Sequence, residues 1–174
     1  INKKLNRWTV TEDGITERVK HRGPPTAPTR GDLEIYKKYV QKVSGNALIL
    51  GVTPELRDAA LTHGLNVYSV DFDPKIITAF KPLVKEQNNQ HDKVIEGNWL
   101  DMNYNSDFFS LVMGDASFAN LASKEEAEQL LMRCATMLKP NGFLVLRNWV
   151  VPQRKTTRAE LCALYRAKKI TFGE

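Results

Sequence analysis

The chain has 174 residues, which suits one domain with a substantial core. Hydrophobic residues make up 42% and charged residues 26%, a balance that excludes a disordered chain. No window approaches the roughly 18 apolar residues of a membrane span, and the start, INKKLNRW, predicts no signal peptide because it has no apolar core. The only two cysteines, Cys134 and Cys162, are predicted to be reduced thiols of a cytoplasmic protein.

The net charge of +5 is unevenly distributed. Residues 1–43 carry ten Lys or Arg against five Asp or Glu, residues 44–146 carry eight against thirteen, and residues 147–174 carry seven against two. Such basic flanks would attract nucleic acid or an anionic substrate. Acidic residues are interspersed among them and aromatic residues are few, so we favour a solvated surface. No spacing of His, Cys and Asp matches a metal site, and no metal is expected.

The first 43 residues are predicted to form an extension of the main domain. The proline-rich stretch RGPPTAPTRGD reads as a connector. Asp32 is predicted to cap a helix through LEIYKKYVQKV, whose apolar residues share one face.

Strands and helices alternate through the main domain, residues 44–174. ALIL, at 47–50, is a continuous apolar run typical of a strand buried on both faces. The four later predicted strands are LNVYSVD, KVIEG, SLVMGD and FLVLRNWV. Helices are predicted to begin after Thr53, Asp73 and Ser123 and at about Thr157, and Pro140-Asn141-Gly142 is predicted to be a turn.

This alternation predicts an α/β fold, a Rossmann-like, doubly wound and mostly parallel sheet in three α/β/α layers. With the strand order 3-2-1-4-5, the switch point lies between strands one and four. Ligands bind there, at the carboxyl ends of the strands.

The first strand end argues against a phosphate-bearing cofactor. A dinucleotide site needs G-x-G-x-x-G, whereas only Gly51 is present and Val52-Thr53-Pro54 follows it. Pro54 has no N–H, and the Cβ atoms of Val52 and Thr53 limit the approach of a ligand. S-adenosylmethionine fits better, because it offers an amino-acid tail instead of a pyrophosphate.

The next two strand ends are consistent with an adenosine. Asp71 lies about 20 residues after Gly51, where its carboxylate can accept hydrogen bonds from ribose hydroxyls. The alternative role, capping the next turn, suits Asp73 better. The other candidate contacts to adenosine are Phe72, Gly97, Asn98 and Trp99; Asn98 could instead stabilise a turn, and Trp99 could belong to the core.

The fourth strand end and the extension supply candidates for the acceptor side. Asp115 could bind a substrate amine, act as a weak base or cap a turn. Ser117 and Phe118 follow it as candidate substrate contacts. Trp8 and Tyr36 are the candidates from the extension, although both could equally be core residues.

Together these segments resemble the class I S-adenosylmethionine-dependent methyltransferase family. The resemblance rests on LILGVTPEL, VYSVDFDP, VIEGNWLDM, LVMGDASFANL and MLKPNGFLVLRN, and covers residues 31–170. It implies that Gly51 to Thr53 line the methionine moiety, that Asp71 holds the ribose and that Asn98 and Trp99 flank the adenine. It also implies that Asp115 lies near the methyl group and that S-adenosylhomocysteine is the product.

The sequence departs from the family pattern in two important places. G-V-T-P-E, a variant first motif, replaces the usual G-x-G-x-G. The family sheet usually ends in an antiparallel hairpin of two more strands, which is apparently missing. Strand five would then be an exposed edge, which a homodimer or further sequence would cover.

The favoured function is in-line methyl transfer to a small-molecule acceptor, for which alignment supplies much of the rate. The basic flanks keep an RNA or protein methyltransferase as the alternative. GDASF after strand four, where an N-P-P-Y-type sequence would mark DNA methyltransferases of amino groups, argues against a base as acceptor. The altered first motif and missing hairpin also leave open a non-catalytic binding protein of the same fold.

Overall fold

Five parallel strands form one sheet in the order β3-β2-β1-β4-β5, as predicted. The structure, a computed structural model, describes Val19, residues 21–150 and residues 157–167. The strands are β1 Asn46–Leu50, β2 Asn66–Asp71, β3 Asp92–Glu96, β4 Phe109–Asp115 and β5 Leu138–Arg147. The α-helices are α1 Arg30–Val40, α2 Pro54–Thr62, α3 Pro74–Phe80, α4 Lys124–Met137 and α5 Arg158–Arg166. Short 3₁₀ helices span Lys81–Leu83, Trp99–Asp101 and Ser117–Asn120.

The central strand β1 is buried on both faces, as its apolar run predicts. Leu48 lies opposite Tyr68 of β2 on one side and Val112 of β4 on the other. Because successive side chains of a strand point to opposite faces, β1 supplies both layers of the core. Ala47 and Ile49 pack on one face, and Leu48 and Leu50 on the other.

Each face of the sheet is covered by its own set of helices, which confirms the three-layer architecture. On one face, α1 and α2 bury Tyr36, Val40, Leu56, Ala60 and Leu61. On the other face, α4 and the segment after β3 bury Trp99, Met102, Leu130, Cys134 and Met137.

Two predicted helix caps differ in the structure. Thr29 is the N-cap of α1: its Oγ1 accepts the Asp32 N–H at 3.1 Å, and the Asp32 carboxylate accepts the Thr29 N–H at 2.8 Å. Asp32 was therefore the wrong cap; it is the third residue of a capping box, the position that usually favours Glu or Gln. Thr53 precedes α2 as predicted, but its side chain makes no capping hydrogen bond.

Strand β5 begins earlier and ends sooner than predicted. Its pairing with β4 jumps from Phe109–Leu138 to Leu111–Phe143, so the predicted turn at 140–142 is a bulge within the strand. Trp149, predicted to lie in this strand, follows its end and is 57% exposed. Among the described residues, β5 has no strand on its outer side.

A buried ion pair joins α2 to the edge strand β3. The guanidinium of Arg57 donates to both carboxylate oxygens of Asp92, one of them at 3.3 Å from Nε. Only 4% of the Arg57 side chain and 11% of the Asp92 side chain are exposed. Loss of one partner would leave a buried charge without compensation.

We therefore predict that Asp92→Ala lowers the free energy of unfolding by about 3–5 kcal/mol. Glu128→Ala is the matched control, because it breaks an ion pair with Lys124 whose side chains are 61% and 83% exposed. That control should cost less than about 0.5 kcal/mol. Urea denaturation measures both, and equal losses would contradict the prediction.

Candidate functional site

The turn after β1 brings three predicted site residues together. Gly51 has φ +104°, a conformation that side chains rarely adopt. A Cβ atom built on Gly51 would lie 3.7 Å from Oδ2 of Asp71 and 3.9 Å from Cζ2 of Trp99. The ends of β1, β2 and β3 therefore meet at one point, where the backbone of Gly51, which has no side chain, faces the carboxylate of Asp71. Val52 follows and is buried in the core, with 2% of the residue exposed.

Asp71 is the last residue of β2 and is largely buried. Burial, reinforced by the neighbouring Asp73 carboxylate, raises the pKa of Asp71 from its ordinary 3.8 to about 6, against hydrogen bonds from the backbone of Phe72 and Asp73. Its Oδ1 accepts the Asp73 N–H at 3.1 Å, while Oδ2 faces Gly51. Asp73 itself accepts the Lys75 N–H at 2.9 Å and caps α3. Asp71 thus holds its turn with one oxygen and presents the other to the site.

The segment after β3 forms the floor beneath this point. Trp99 is 7% exposed, and its Nε1–H donates to the Val70 carbonyl at 2.6 Å. It is both a core residue and a wall beside Gly51. Asn98 is exposed, and its Oδ1 accepts the Leu100 N–H at 3.0 Å, which is the turn-stabilising role left open by the sequence. Phe72, 62% exposed, presents a free ring beside Asp71.

At the end of β4, Asp115 forms an ion pair with Arg147, the last residue of β5. Tyr36 of α1 is buried next to this pair: its hydroxyl donates to the Gly114 carbonyl at 2.6 Å and accepts the Arg147 N–H at 3.1 Å. Burial, and secondarily the Asp115 charge, raises the pKa of the Tyr36 phenol above its ordinary value. Tyr36 therefore joins three elements and has no exposed face toward a substrate in this conformation.

The remaining predicted acceptor residues lie just beyond β4. Ser117 is fully buried, with its Oγ against Gly114 and without a hydrogen-bond partner among the described residues. Phe118 is partly buried, and its N–H donates to Oδ1 of Asn148 at 3.2 Å. Gly97 is partly buried and packs beside Val70. Trp8 lies outside the described residues.

Two arginines at this edge were missed by the sequence interpretation. Arg22 donates to Glu55 of α2 at 2.6 Å and lies over the ring of Phe80, 5.0 Å from its centre. Arg147 donates to the Pro25 carbonyl at 2.8 Å and lies 3.7 Å from the Asp32 carboxylate. These contacts hold residues 22–29, here called the N-terminal strap, against the carboxyl edge. The sequence did contain a signal for Arg147, because this arginine ends the otherwise apolar run FLVLR.

Three further observations on the described residues concern metal ligands, helix length and a surface groove. No group of three or more His, Cys, Asp or Glu side chains in these residues could hold a metal ion. None of the helices described is long and apolar enough to cross a bilayer. A groove of about 500 Å³ lies between α1 and α2, bordered by Leu33, Lys37, Asp58 and His63, on a helical face instead of at the strand ends.

Comparison with known proteins identifies the family. The sequence profile of a family described as "Methyltransferase domain" matches residues 50–146, more than half of the chain. The chain belongs to this methyltransferase family. The predicted family and fold are thereby confirmed, and the match spans the carboxyl ends of β1, β2, β3 and β4. No sequence in a curated set of proteins matches this methyltransferase domain.

Solved structures resemble the methyltransferase domain at low sequence identity. Phosphoethanolamine N-methyltransferase 2 of Haemonchus contortus, in complex with S-adenosyl-L-methionine, is 19% identical with a TM-score of 0.69; the match covers 94% of this chain and 39% of that one. PH0226 of Pyrococcus horikoshii OT3 is 23% identical, with a TM-score of 0.58 and coverages of 80% and 57%. The CcbJ methyltransferase of Streptomyces caelestis is 14% identical, with a TM-score of 0.61 and coverages of 76% and 54%. The chain thus spans about two fifths to three fifths of the length of these structures, and at such identities the likeness shows the fold.

The backbone at Gly51 gives a prediction for stability. Gly51→Ala should lower the free energy of unfolding by about 1–3 kcal/mol, because alanine resists a φ of +104°. Gly31→Ala is the matched control, since Gly31 lies in the first turn of α1 with ordinary space for a methyl group, 3.8 Å from Thr29 Oγ1. That variant should be neutral or gain about 0.5–1 kcal/mol. Thermal or urea unfolding compares the two variants. An unchanged free energy of unfolding in Gly51→Ala would show that the φ angle of Gly51 does not disfavour a side chain.

Proposed function

We propose that this domain binds S-adenosylmethionine at the carboxyl edge of β1, β2 and β4 and methylates a small-molecule acceptor. The observation that carries the proposal is the approach of the Asp71 carboxylate to the bare backbone of Gly51. This arrangement offers carboxylate oxygens as hydrogen-bond acceptors to ribose hydroxyls at the end of β2. The bound cofactor supplies an activated methyl group on a sulfonium sulfur.

The protein residues hold the ligand and keep it aligned. Asp71 Oδ2 accepts hydrogen bonds from the ribose, and the exposed ring of Phe72 packs on the adenine. The backbone of Gly51 to Thr53 binds the amino-acid tail. Trp99, fixed to the Val70 carbonyl, keeps this pocket rigid from below. Rigid alignment is the main contribution a protein can make to a transfer from an already activated donor.

The charges at this edge favour a cationic ligand. Four carboxylates and two guanidinium groups meet there, which leaves an excess of two negative charges. These groups are Asp32, Glu55, Asp71, Asp115, Arg22 and Arg147. Because Asp71 has no cationic partner among the described contacts, its field acts on whatever occupies the site. A sulfonium is favoured by that field over a neutral or anionic group.

A small acceptor suits the covered acceptor side better than a nucleic acid does. The N-terminal strap lies across the edge between Glu55 and Arg147 and narrows it. Both arginines that reach the edge are paired internally, so no basic groove is formed by them. RNA binding depends on such a groove and on the release of counterions from the RNA.

The first experiment is calorimetric titration of the chain with S-adenosylmethionine, S-adenosylhomocysteine and NAD. We expect S-adenosylmethionine and S-adenosylhomocysteine to bind with micromolar dissociation constants and NAD not to bind. Binding of NAD alone would overturn the proposal. Acceptor screening with methyl-labelled S-adenosylmethionine then follows, and steeply salt-dependent RNA binding would favour the RNA methyltransferase alternative instead.

Asp71→Ala should weaken S-adenosylmethionine binding by about 1.5–3 kcal/mol, because it removes hydrogen bonds to a charged group. Asp73→Asn is the control: it removes the neighbouring charge but keeps a side chain able to cap α3. It should leave the dissociation constant nearly unchanged. An unchanged constant in Asp71→Ala would mean that the ribose lies elsewhere.

Binding should also weaken at low pH. Since the pKa of Asp71 is raised to about 6, the free protein takes up a proton there as the pH falls through 6, and the ribose loses its ionised acceptor. Below pH 6 the affinity should decrease with each unit of pH, with a limiting slope of about tenfold per unit. Titrations from about pH 7.5 to pH 5 measure this slope. The Asp71→Asn variant should show a flat profile, and a wild-type profile that is equally flat would contradict the assignment.

A further inference from the structure

Three groups of the protein itself surround the guanidinium of Arg147. Its Nε donates to Oδ1 of Asp115, its Nη2 donates to the Pro25 carbonyl at 2.8 Å, and its Nη1 lies 3.7 Å from Oδ2 of Asp32. All three nitrogens therefore face an oxygen of this chain. Guanidinium groups bind carboxylates and phosphates through these same N–H donors.

The two carboxylates are held by more than Arg147. Asp32 accepts the N–H of Thr29 in the capping box of α1, so α1 fixes its position. Only 5% of the Asp115 side chain is exposed, and its place at the end of β4 is set by the sheet. The pair is thus built into the fold and does not arise from a flexible surface contact.

The other arginine at the carboxyl edge is neutralised in the same manner. Arg22 donates to Glu55 at 2.6 Å and lies over the Phe80 ring, with 9% of its side chain exposed. Arg30, in the first turn of α1, is exposed to solvent, where its charge is screened. Both arginines that are built into this edge are thus paired with carboxylates of this chain.

We propose that Asp115 and Asp32 are specificity determinants, because they occupy the face of Arg147 that would bind an anion. The domain then accepts uncharged or cationic nucleophiles and rejects acceptors that bear a phosphate or a carboxylate. The proposal rests on the proposed function, since it names the acceptor class of that site. An anionic acceptor would have to displace a buried carboxylate from Arg147, and it would meet the negative excess of the edge.

Inorganic phosphate is the probe, titrated by calorimetry into the chain saturated with S-adenosylhomocysteine. The wild type should show no binding at millimolar phosphate. Asp115→Asn removes the negative charge that competes with an anion for Arg147 and should tighten phosphate binding by at least about tenfold, the value of one charged hydrogen bond. Glu34→Gln, which removes an exposed carboxylate of α1 and changes the net charge equally, should bind no better than the wild type.

Two further variants keep the test decisive. The gain in Asp115→Asn should vanish when Arg147→Met is added. Should Asp115→Asn fail to fold, judged by circular dichroism and thermal melting, Asp32→Asn replaces it and should show a smaller gain in the same direction. Tight phosphate binding by the wild type that is lost in Arg147→Met would overturn the proposal, and so would the absence of any gain in a folded variant.

The acceptor class can be compared directly with two compounds that differ by a phosphate. Ethanolamine and phosphoethanolamine are offered to the unchanged chain with methyl-labelled S-adenosylmethionine. Faster methylation of phosphoethanolamine would overturn the proposal. Failure of S-adenosylhomocysteine to bind would instead count against the proposed function, while the phosphate titration can still be read on the ligand-free chain.

Discussion

The carbonyl oxygen of Val70 accepts two hydrogen bonds, from the Gly51 N–H at 2.8 Å and from Trp99 Nε1–H at 2.6 Å. These bonds join the ends of β1 and β2 to the segment after β3. Because both lone pairs of this carbonyl are used, the three segments cannot shift independently without leaving a buried polar group unpaired. The position of Asp71 opposite the glycine turn is therefore set by the main chain and does not depend on a bound ligand.

The features that the sequence predicted depend on local signals. The run ALIL predicted the central strand, because a strand buried on both faces needs a continuous apolar run. Asp71 was predicted as a site residue because it ends the second strand. The alternation of strands and helices predicted the parallel sheet, and the assumed strand order, which the structure has, places Gly51 and Asp71 at one edge. The absence of further glycines after Gly51 was also informative, because it argued against a pyrophosphate-bearing cofactor.

The features that could not be predicted depend on contacts distant in sequence. Arg147 reaches Asp115 across 32 positions and Pro25 across 122, and no local pattern links such residues. The cap of α1 was misassigned for a related reason: Thr29 and Asp32 both fit the preferences for a cap, and only the backbone geometry decides between them. The bulge in β5 likewise reads as a simple turn in the sequence.

Tyr36 ties the first helix to partners that are made much later. Its hydroxyl contacts Gly114, 78 positions along the chain, and Arg147, 111 positions along. At roughly 5–20 residues per second, a ribosome needs on the order of ten seconds to bring that last partner out. Until β4 and β5 have been made, one edge of β1 and part of the apolar face of α1 lack their partners in the nascent chain. The cluster of Tyr36, Asp115 and Arg147 is thus completed only after β5 has been made, and a substitution of Arg147 would be expected to lower the yield of folded protein.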